Sequence, residues 1–154
     1  MRKSMVWEKS SPNWKPKKRK RKVKTERQKL IDDLDLYTSL YIRLRDGECV
    51  QKGQGRPCKG VLTNGHVFPG RYQSLRWDIR KDGECHAQCW GHNYWHVNHQ
   101  ADYYEWYIKK FGLSRFKRLK KEYYSGRVYS NSELKFWLSK VKVKYENLKR
   151  KKDH

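Results

Sequence analysis

The spacing of apolar side chains predicts a first helix over residues 29–46. The apolar positions recur every three or four residues, as one face of a helix requires, and they are Leu30, Leu34, Tyr37, Tyr41 and Leu44. The pair Asp46-Gly47 ends the pattern, because glycine readily adopts the backbone of a helix C-cap. We expect this helix to pack onto the segment that follows it.

Residues 48–89 lose the helical pattern and contain eight glycine and proline residues. Short apolar runs, such as residues 60–62 and 66–68, lie between them. Frequent glycine and proline interrupt helices, whereas short runs bounded by them are typical of strands. The segment therefore predicts loops and one short hairpin.

The last third of the chain predicts three more helical stretches. Asn98 is a candidate cap for a helix over about residues 99–111, and Gly112 is its candidate end. A basic stretch follows over residues 114–124, and residues 130–132 open a last helix. The apolar side of that last helix carries Leu134, Trp137, Leu138, Val141, Tyr145 and Leu148, and its opposite face is rich in lysine.

The charge balance indicates a partner of opposite sign. The chain has 38 Lys and Arg against 16 Asp and Glu, a net charge of +22 on 154 residues, which is typical of proteins that bind polyanions. The sequence contains no apolar run of roughly 18 residues for a membrane helix and no signal-peptide core. We therefore expect DNA rather than a membrane as the partner, and a cytoplasmic protein. The sequence leaves a homodimer open.

Changes in charge and the positions of glycine and proline divide the chain into three predicted segments. Residues 1–28 predict a basic disordered tail, since residues 15–27 carry nine basic side chains and one acid. Residues 29–112 form the predicted central domain, and residues 113–154 a basic helical extension. The tail's candidate DNA contacts are Lys17, Lys18, Arg19, Lys20, Arg21 and Lys22.

Two pairs of metal-ligand residues bracket a lone histidine. Cys49 and Cys58 precede His66, and Cys89 and His92 follow it. Cysteine and histidine are the usual ligands of structural zinc, and in a reducing compartment four cysteines are better explained as metal ligands than as disulfides. Leu, Ile, Val and Phe number only 29 of 154 residues, so a zinc site would supply stability that a small aliphatic core lacks.

Several blocks of this sequence resemble the phage NinG (Rap) recombination nucleases. They are residues 40–46, Gly65-His66, residues 75–78, residues 85–89 and the zinc knuckle, by which we mean residues 89–93 with the second ligand pair and the final Asn93. The resemblance covers about residues 29–112. The order of cysteine pair, histidine, second ligand pair and asparagine is also similar to the junction-resolving phage endonuclease VII. Members of the NinG family are structure-specific endonucleases of the HNH, or ββα-metal, class, and they act on branched DNA during phage recombination.

The resemblance implies an α+β fold with a small zinc-bound ββα-metal core, flanked by amphipathic basic helices and the tail. It also implies that His66 is the general base on the first strand. Asn93, directly after the last knuckle ligand, becomes a ligand of a catalytic Mg²⁺ or Mn²⁺. A neutral imidazole can accept a proton from water, and a hard cation bound by few protein oxygens can hold the scissile phosphate.

This sequence departs from the family pattern at the zinc knuckle. Where the family usually has a second cysteine, this chain has His92, so the implied structural zinc ligands are Cys49, Cys58, Cys89 and His92. A competing set replaces His92 with Cys85. The set with His92 is favoured, because Cys85 falls where relatives vary.

A second departure lies just before the base. Many HNH enzymes have there an aspartate that binds the catalytic metal, and this chain has Gly65. Asp78, Asp82 or water is the candidate substitute. Arg71 and Arg76 are candidate phosphate contacts near the base. Further candidate DNA contacts on the basic helical stretch are Lys117, Arg118, Lys120 and Lys121.

Three functional hypotheses follow. The first is a NinG-like endonuclease that cuts branched or structured DNA during recombination. The second is a homing-type HNH endonuclease that cuts a defined site. The third is a non-catalytic zinc-ribbon module that binds nucleic acid and in which His66 is structural. Lysine and arginine contacts to phosphate are independent of base sequence, so charge does not separate them.

Overall fold

The computed structural model describes residues 23–69 and 72–153. Within these ranges the chain has an α+β fold with five helices and a two-stranded sheet. The elements are α1 (Glu26–Asp46), β1 (Leu62–His66), β2 (Cys85–Cys89), α2 (Trp90–His96), α3 (Gln100–Phe111), α4 (Leu113–Tyr123) and α5 (Asn131–Asp153). The four predicted helices are confirmed, and α2 is an additional short helix. A strand pair is present in the predicted segment, but its second strand is residues 85–89 and not the run at residues 66–68. None of the described helices has the length and apolar character needed to cross a bilayer.

Two sets of predicted residues lie outside the described ranges. They are Arg71 and the tail through residue 22, which includes the basic residues 17–22. The predicted end of the tail at residue 28 is wrong, because helix α1 begins at Glu26. The side chain of Thr25 accepts a hydrogen bond from the backbone N–H of Gln28 at 3.2 Å. This N-cap extends the helix by one turn into the segment assigned to the tail.

The buried face of α1 runs along Leu34, Thr38 and Ile42, which are fully buried. These positions are four residues apart and lie one above another on a helix. The predicted apolar residues Leu30, Tyr37 and Tyr41 lie beside this line and are only partly buried. The sequence therefore identified the correct side of α1, but the centre of the buried face includes a threonine that hydropathy does not mark.

Helix α5 packs lengthwise against α1. Ser130 and Glu133 form a reciprocal capping box at its start: Ser130 Oγ accepts the Glu133 N–H at 3.3 Å, and a Glu133 carboxylate oxygen accepts the Ser130 N–H at 2.8 Å. The predicted opening of the last helix at residues 130–132 is thus confirmed. The shared core is composed of Leu34, Trp77, Tyr129, Leu134, Leu138 and Val141.

The two strands form an antiparallel hairpin with a long connection, residues 67–84. Leu62 pairs with Cys89 at one end, and His66 pairs with Cys85 at the other. Alternate residues of a strand point to opposite faces. Cys85 and Ala87 accordingly pack against Ile42 of α1, whereas the His86 ring contacts the α3 rings of Trp106 and Phe111. The sheet is therefore covered on both faces, and α2 follows it directly.

Aromatic side chains build the core between the sheet connection and helices α3 and α4. The cluster contains Val67, Phe68, Leu75, Tyr103, Trp106, Tyr107, Phe116, Leu119 and Tyr123. Large aromatic rings bury much area per residue, which compensates for the shortage of aliphatic residues. The predicted cap of α3 is wrong: the N-cap is His99, which makes no side-chain capping bond, and Asn98 precedes it.

Replacing Leu34 with alanine is expected to lower the free energy of unfolding by about 2–5 kcal/mol. Leu34 is fully buried between α1 and α5, so its removal leaves a cavity. Leu36→Ala on the same helix is the matched control, because Leu36 is 52% exposed. Urea unfolding of both variants measures the difference. Equal losses for the two variants would mean that α5 does not cover this face in solution.

Candidate functional site

Four side chains that the sequence marks as metal ligands meet at one end of the sheet. Cys49 follows α1, Cys58 lies in the loop before β1, Cys89 ends β2, and His92 lies in the first turn of α2. Their ligand atoms all lie within 4.8 Å of one another. This group of three cysteines and one histidine can hold a metal ion such as zinc.

The distances within the group agree with tetrahedral zinc. The sulfurs of Cys49, Cys58 and Cys89 lie 3.5, 3.8 and 3.1 Å from Nδ1 of His92. Zn–S bonds of about 2.3 Å and Zn–N bonds of about 2.0–2.1 Å at tetrahedral angles separate nitrogen from sulfur by about 3.6 Å. The other ring nitrogen, Nε2, lies 3.4 Å from the carbonyl oxygen of Gln54, a contact of the kind that orients metal-binding histidines.

The strand geometry separates Cys85 from this group. Cys85 and Cys89 are the two ends of β2, and a strand rises about 3.3 Å per residue, so their backbones are about 13 Å apart. One ion cannot bind both. His92, by contrast, lies one helical turn from Cys89, and its N–H donates to the Cys89 sulfur at 3.4 Å. The ligand set with His92 is therefore the one that the fold assembles, as the sequence favoured.

The thiols of the group are electrostatically unequal. Desolvation and the neighbouring thiols of Cys49 and Cys89 raise the pKa of Cys58 to about 11. Burial also opposes ionisation of Cys89, but hydrogen bonds from the backbone N–H groups of His92 and Lys59 lower its pKa to about 6. Three thiolates this close repel one another, so full deprotonation requires a cation. Metal binding here is therefore coupled to proton release.

His66, the candidate base, ends β1 beside two buried groups. Its Nδ1 lies 3.9 Å from a carboxylate oxygen of Glu84 and 3.6 Å from the sulfur of Cys85. The His66 side chain is 20% exposed. Nδ1 faces these two buried groups, and Nε2, on the other side of the ring, faces away from them.

Glu84 is an acidic residue that sequence reasoning missed. It is almost fully buried, and one carboxylate oxygen accepts the backbone N–H of Phe68 at 2.9 Å. The other oxygen, Oε2, has no hydrogen-bond partner among the described residues. Burial raises the pKa of Glu84 well above its usual range, and the nearby Asp78 adds to the shift. A single acid in a segment predicted to form loops carries no sequence signal of this role.

Asn93 joins helix α2 to strand β1. The Thr63 hydroxyl donates its proton to the carbonyl oxygen of Gln88 at 2.9 Å, so its oxygen accepts the 3.0 Å bond from the Asn93 amide nitrogen. This assigns Nδ2 to Thr63 and leaves the amide oxygen, Oδ1, facing away. An amide oxygen is a suitable ligand for a hard cation such as Mg²⁺.

Gly65, where many HNH enzymes have a metal-binding aspartate, has no room for a side chain. A Cβ at Gly65 would lie 1.9 Å from the side-chain oxygen of Gln88. Gln88 is fully buried, and its amide nitrogen donates to Gln51 at 2.9 Å. Its oxygen Oε1 has no hydrogen-bond partner among the described residues. The volume of the absent side chain is thus filled by a glutamine from the paired strand.

Neither candidate aspartate substitute is an open metal ligand. Asp78 accepts two hydrogen bonds of 2.8 Å from the Arg80 guanidinium and one of 3.1 Å from the N–H of Glu84. Asp82 forms a 2.5 Å ion pair with Arg115. Both carboxylates organise the chain between Asp78 and β2, and the expected role of Asp78 as a Mg²⁺ ligand has no support from these contacts.

The candidate DNA contacts fall into two groups. Arg76 forms a two-point ion pair with Asp35 at 2.8 and 2.5 Å, so it connects the 72–78 turn to α1 rather than extending into solvent. The other group lies along the exposed side of α4, whose opposite side is buried in the aromatic core. Its members are Lys117, Arg118, Lys120 and Lys121.

Comparisons of the chain with protein-family models, with curated proteins and with solved structures find no match. The assignment of function therefore depends on the site geometry described above.

Replacing Gly65 with alanine is expected to cost about 1–3 kcal/mol of stability, as overpacking does in a tight interior. The new methyl group would overlap the Gln88 side chain, which is fully buried. The double variant Gly65→Ala/Gln88→Ala is the control, since it removes the overlapping group. Denaturant unfolding should show the double variant to be less destabilised than the sum of the two single variants. If the stability losses of the two single variants simply add in the double variant, the predicted steric overlap between residue 65 and Gln88 is contradicted.

Proposed function

We propose that the protein is a metal-dependent DNA endonuclease of the HNH, ββα-metal class that hydrolyses phosphodiester bonds in branched or structured DNA. One observation carries the proposal: β1, β2 and α2 follow one another around a Cys3His group, with His66 on the strand and Asn93 on the helix. Zinc at this group would hold the hairpin and helix together, so that the base and the amide oxygen keep a constant separation.

In this proposal the two residues have different tasks. His66 accepts the proton of the attacking water at Nε2, while buried Glu84 and Cys85 on the Nδ1 side restrict the ring's rotation. Asn93 offers Oδ1 to Mg²⁺ or Mn²⁺, because its Nδ2 is engaged by Thr63. A divalent ion held there would supply positive charge that stabilises the scissile phosphate as the bond breaks.

In this proposal the protein holds the catalytic ion only weakly. Mg²⁺ retains several water ligands and takes few oxygens from protein, with substrate phosphates completing its shell. Asn93 is such a ligand, and Gly65 contributes no side chain. We therefore expect the ion to bind far better in the presence of DNA than in its absence.

The net charge of +22 supports DNA as the substrate. The exposed lysines of α4 lie on the side away from the core, and Arg118 there bonds only weakly, at 3.4 Å, to Ser114. Such side chains bind phosphate without reading bases. They are suited to a substrate recognised by its shape.

A second candidate function is a zinc-dependent nucleic-acid-binding module without catalysis. The observation that favours it is that, within residues 23–69 and 72–153, neither expected position offers an acidic metal ligand: Gly65 has no side chain, and Asp78 is paired with Arg80. In this alternative His66 and Asn93 stabilise the hairpin and helix, and only the basic surfaces bind DNA.

Cleavage assays separate these functions. The zinc-loaded full-length protein is incubated with Mg²⁺ or Mn²⁺ and labelled DNA in four forms: a four-way junction, a D-loop, a flap and a plain duplex. Cleavage near the branch supports the proposed function, and cleavage of plain duplex at one sequence supports the homing-type enzyme. Binding of all four without cleavage supports the non-catalytic module.

A further inference from the structure

A cleft of about 750 Å³ lies beside α5, away from the metal ligands. One wall is the turn that contains Trp77 and Asp78, and the other is α5 with Phe136, Trp137 and Val143. This volume is within the range of roughly 300–1,000 Å³ typical of small-molecule sites. The cleft can therefore hold a group the size of a nucleoside.

Aromatic rings form the interior and the mouth of the cleft. Tyr129 lies between Trp77 and Trp137, with ring centres 6.1 and 6.4 Å away. Trp77 and Tyr129 are almost fully buried, whereas Phe136 and Val143 at the mouth are each 56% exposed. Exposed apolar side chains beside a cleft are typical of a binding surface.

Cations surround these rings. The Arg127 guanidinium lies 4.7 Å from the Tyr129 ring centre, and the Lys140 ammonium lies 4.6 Å from that of Phe136. The two acids of the lining, Asp78 and Glu122, are both paired with Arg80. Lys140 and Lys144 of the lining therefore add positive charge next to the aromatic surface, which complements a ligand that carries phosphate.

Two contacts connect one wall of the cleft with the proposed base. Asp78 of its wall accepts the backbone N–H of Glu84 at 3.1 Å, and the Glu84 carboxylate lies 3.9 Å from His66 Nδ1. Both acidic side chains are buried, so these contacts connect the wall of the cleft with His66 through the interior of the protein. Paired bases are stacked inside a duplex, so only an unpaired nucleotide can enter.

We propose that this aromatic cleft binds an unpaired nucleobase of the DNA substrate. The inference rests on the proposed function and specifies how that enzyme selects branched over plain DNA. The base stacks on aromatic rings, as in proteins that bind single-stranded nucleic acid, and Lys140 and Lys144 bind the adjoining phosphates. Selection then depends on unpaired bases and not on sequence.

The test measures binding of the full-length, zinc-loaded protein without added Mg²⁺, so that no cleavage is needed. The probes are a duplex with one extrahelical 2-aminopurine and the same duplex with 2-aminopurine paired to thymine. Wild-type protein should prefer the first by roughly 5- to 100-fold, from one stacked base, and should quench its fluorescence. Phe136→Ala/Lys140→Gln should abolish most of the preference and the quenching while leaving the paired duplex affinity within about twofold.

The control variant Leu36→Ala/Lys149→Gln removes an exposed apolar group and an exposed lysine outside the cleft and should keep the preference. An unchanged preference in the cleft variant, or an equal loss on both probes, overturns the proposal. The proposal also fails if the wild type is a dimer and the cleft substitutions dissociate it. In that case a second copy of the chain occupies the cleft. If the wild type prefers the extrahelical base but cleaves no DNA, the nuclease proposal fails and the proposal for the cleft is supported. The failure of one proposal can therefore be told from the failure of the other.

Discussion

Replacing His66 with alanine is expected to lower the rate of DNA cleavage by roughly 10²–10⁴-fold, the usual contribution of a general base. Folding, zinc content and DNA affinity should persist, because His66 is not one of the four metal ligands and lies at the end of a strand. Single-turnover cleavage of a labelled junction, with zinc content measured on the same preparation, provides the readout. His99→Ala is the control, since His99 is an exposed histidine outside the site.

Asn93 should respond differently from His66. Asn93→Ala removes the proposed oxygen ligand, so its cleavage should recover in part at higher Mg²⁺ or with Mn²⁺, because mass action refills a weakened site. A missing base cannot be restored in this way. If His66→Ala cuts as fast as the wild type, or if zinc-loaded wild type cuts no DNA form, the nuclease proposal fails and the non-catalytic module replaces it.

Removing the metal is expected to unfold the centre of the protein. Binding free energies of structural zinc in small domains are on the order of 10 kcal/mol, which is comparable with the whole stability of a typical domain, about 5–15 kcal/mol. Cys58→Ser is the informative variant because Cys58 is exposed, so its replacement would cost little if it bound no metal. Native mass spectrometry should detect one zinc per wild-type chain, and circular dichroism should show unfolding after chelation.

Cys85→Ala serves as the control for the metal prediction. Cys85 is fully buried but separate from the Cys3His group, so this variant should lose some packing energy and keep its zinc. Cys58→Ser should lose zinc and structure together. A protein that remains folded without zinc would contradict the prediction, and zinc loss in the Cys85 variant would contradict the ligand set.

Glu84 and Gln88 alter the interpretation of the candidate site. The first places a buried carboxyl beside the ring of the proposed base, and the second fills the volume at Gly65. Neither role was accessible from the sequence, because an isolated glutamate or glutamine is ordinarily a surface residue. Only the pairing of β1 with β2, which sets Gly65 opposite His86 and His66 opposite Cys85, brings them to these positions.

The amino-acid sequence by itself determined four of the five described helices, the charge and the candidate ligand pairs. Helical periodicity and capping residues are local, so α1 and α5 were predictable to within a turn. Tertiary structure decided which ligands meet. Cys85 and Cys89 are close along the chain, yet an extended strand holds them about 13 Å apart, whereas one turn of α2 brings His92 to Cys89. The same long-range packing pairs Arg76 with Asp35 across 41 residues, because ion pairs depend on distance in space and not on separation in sequence.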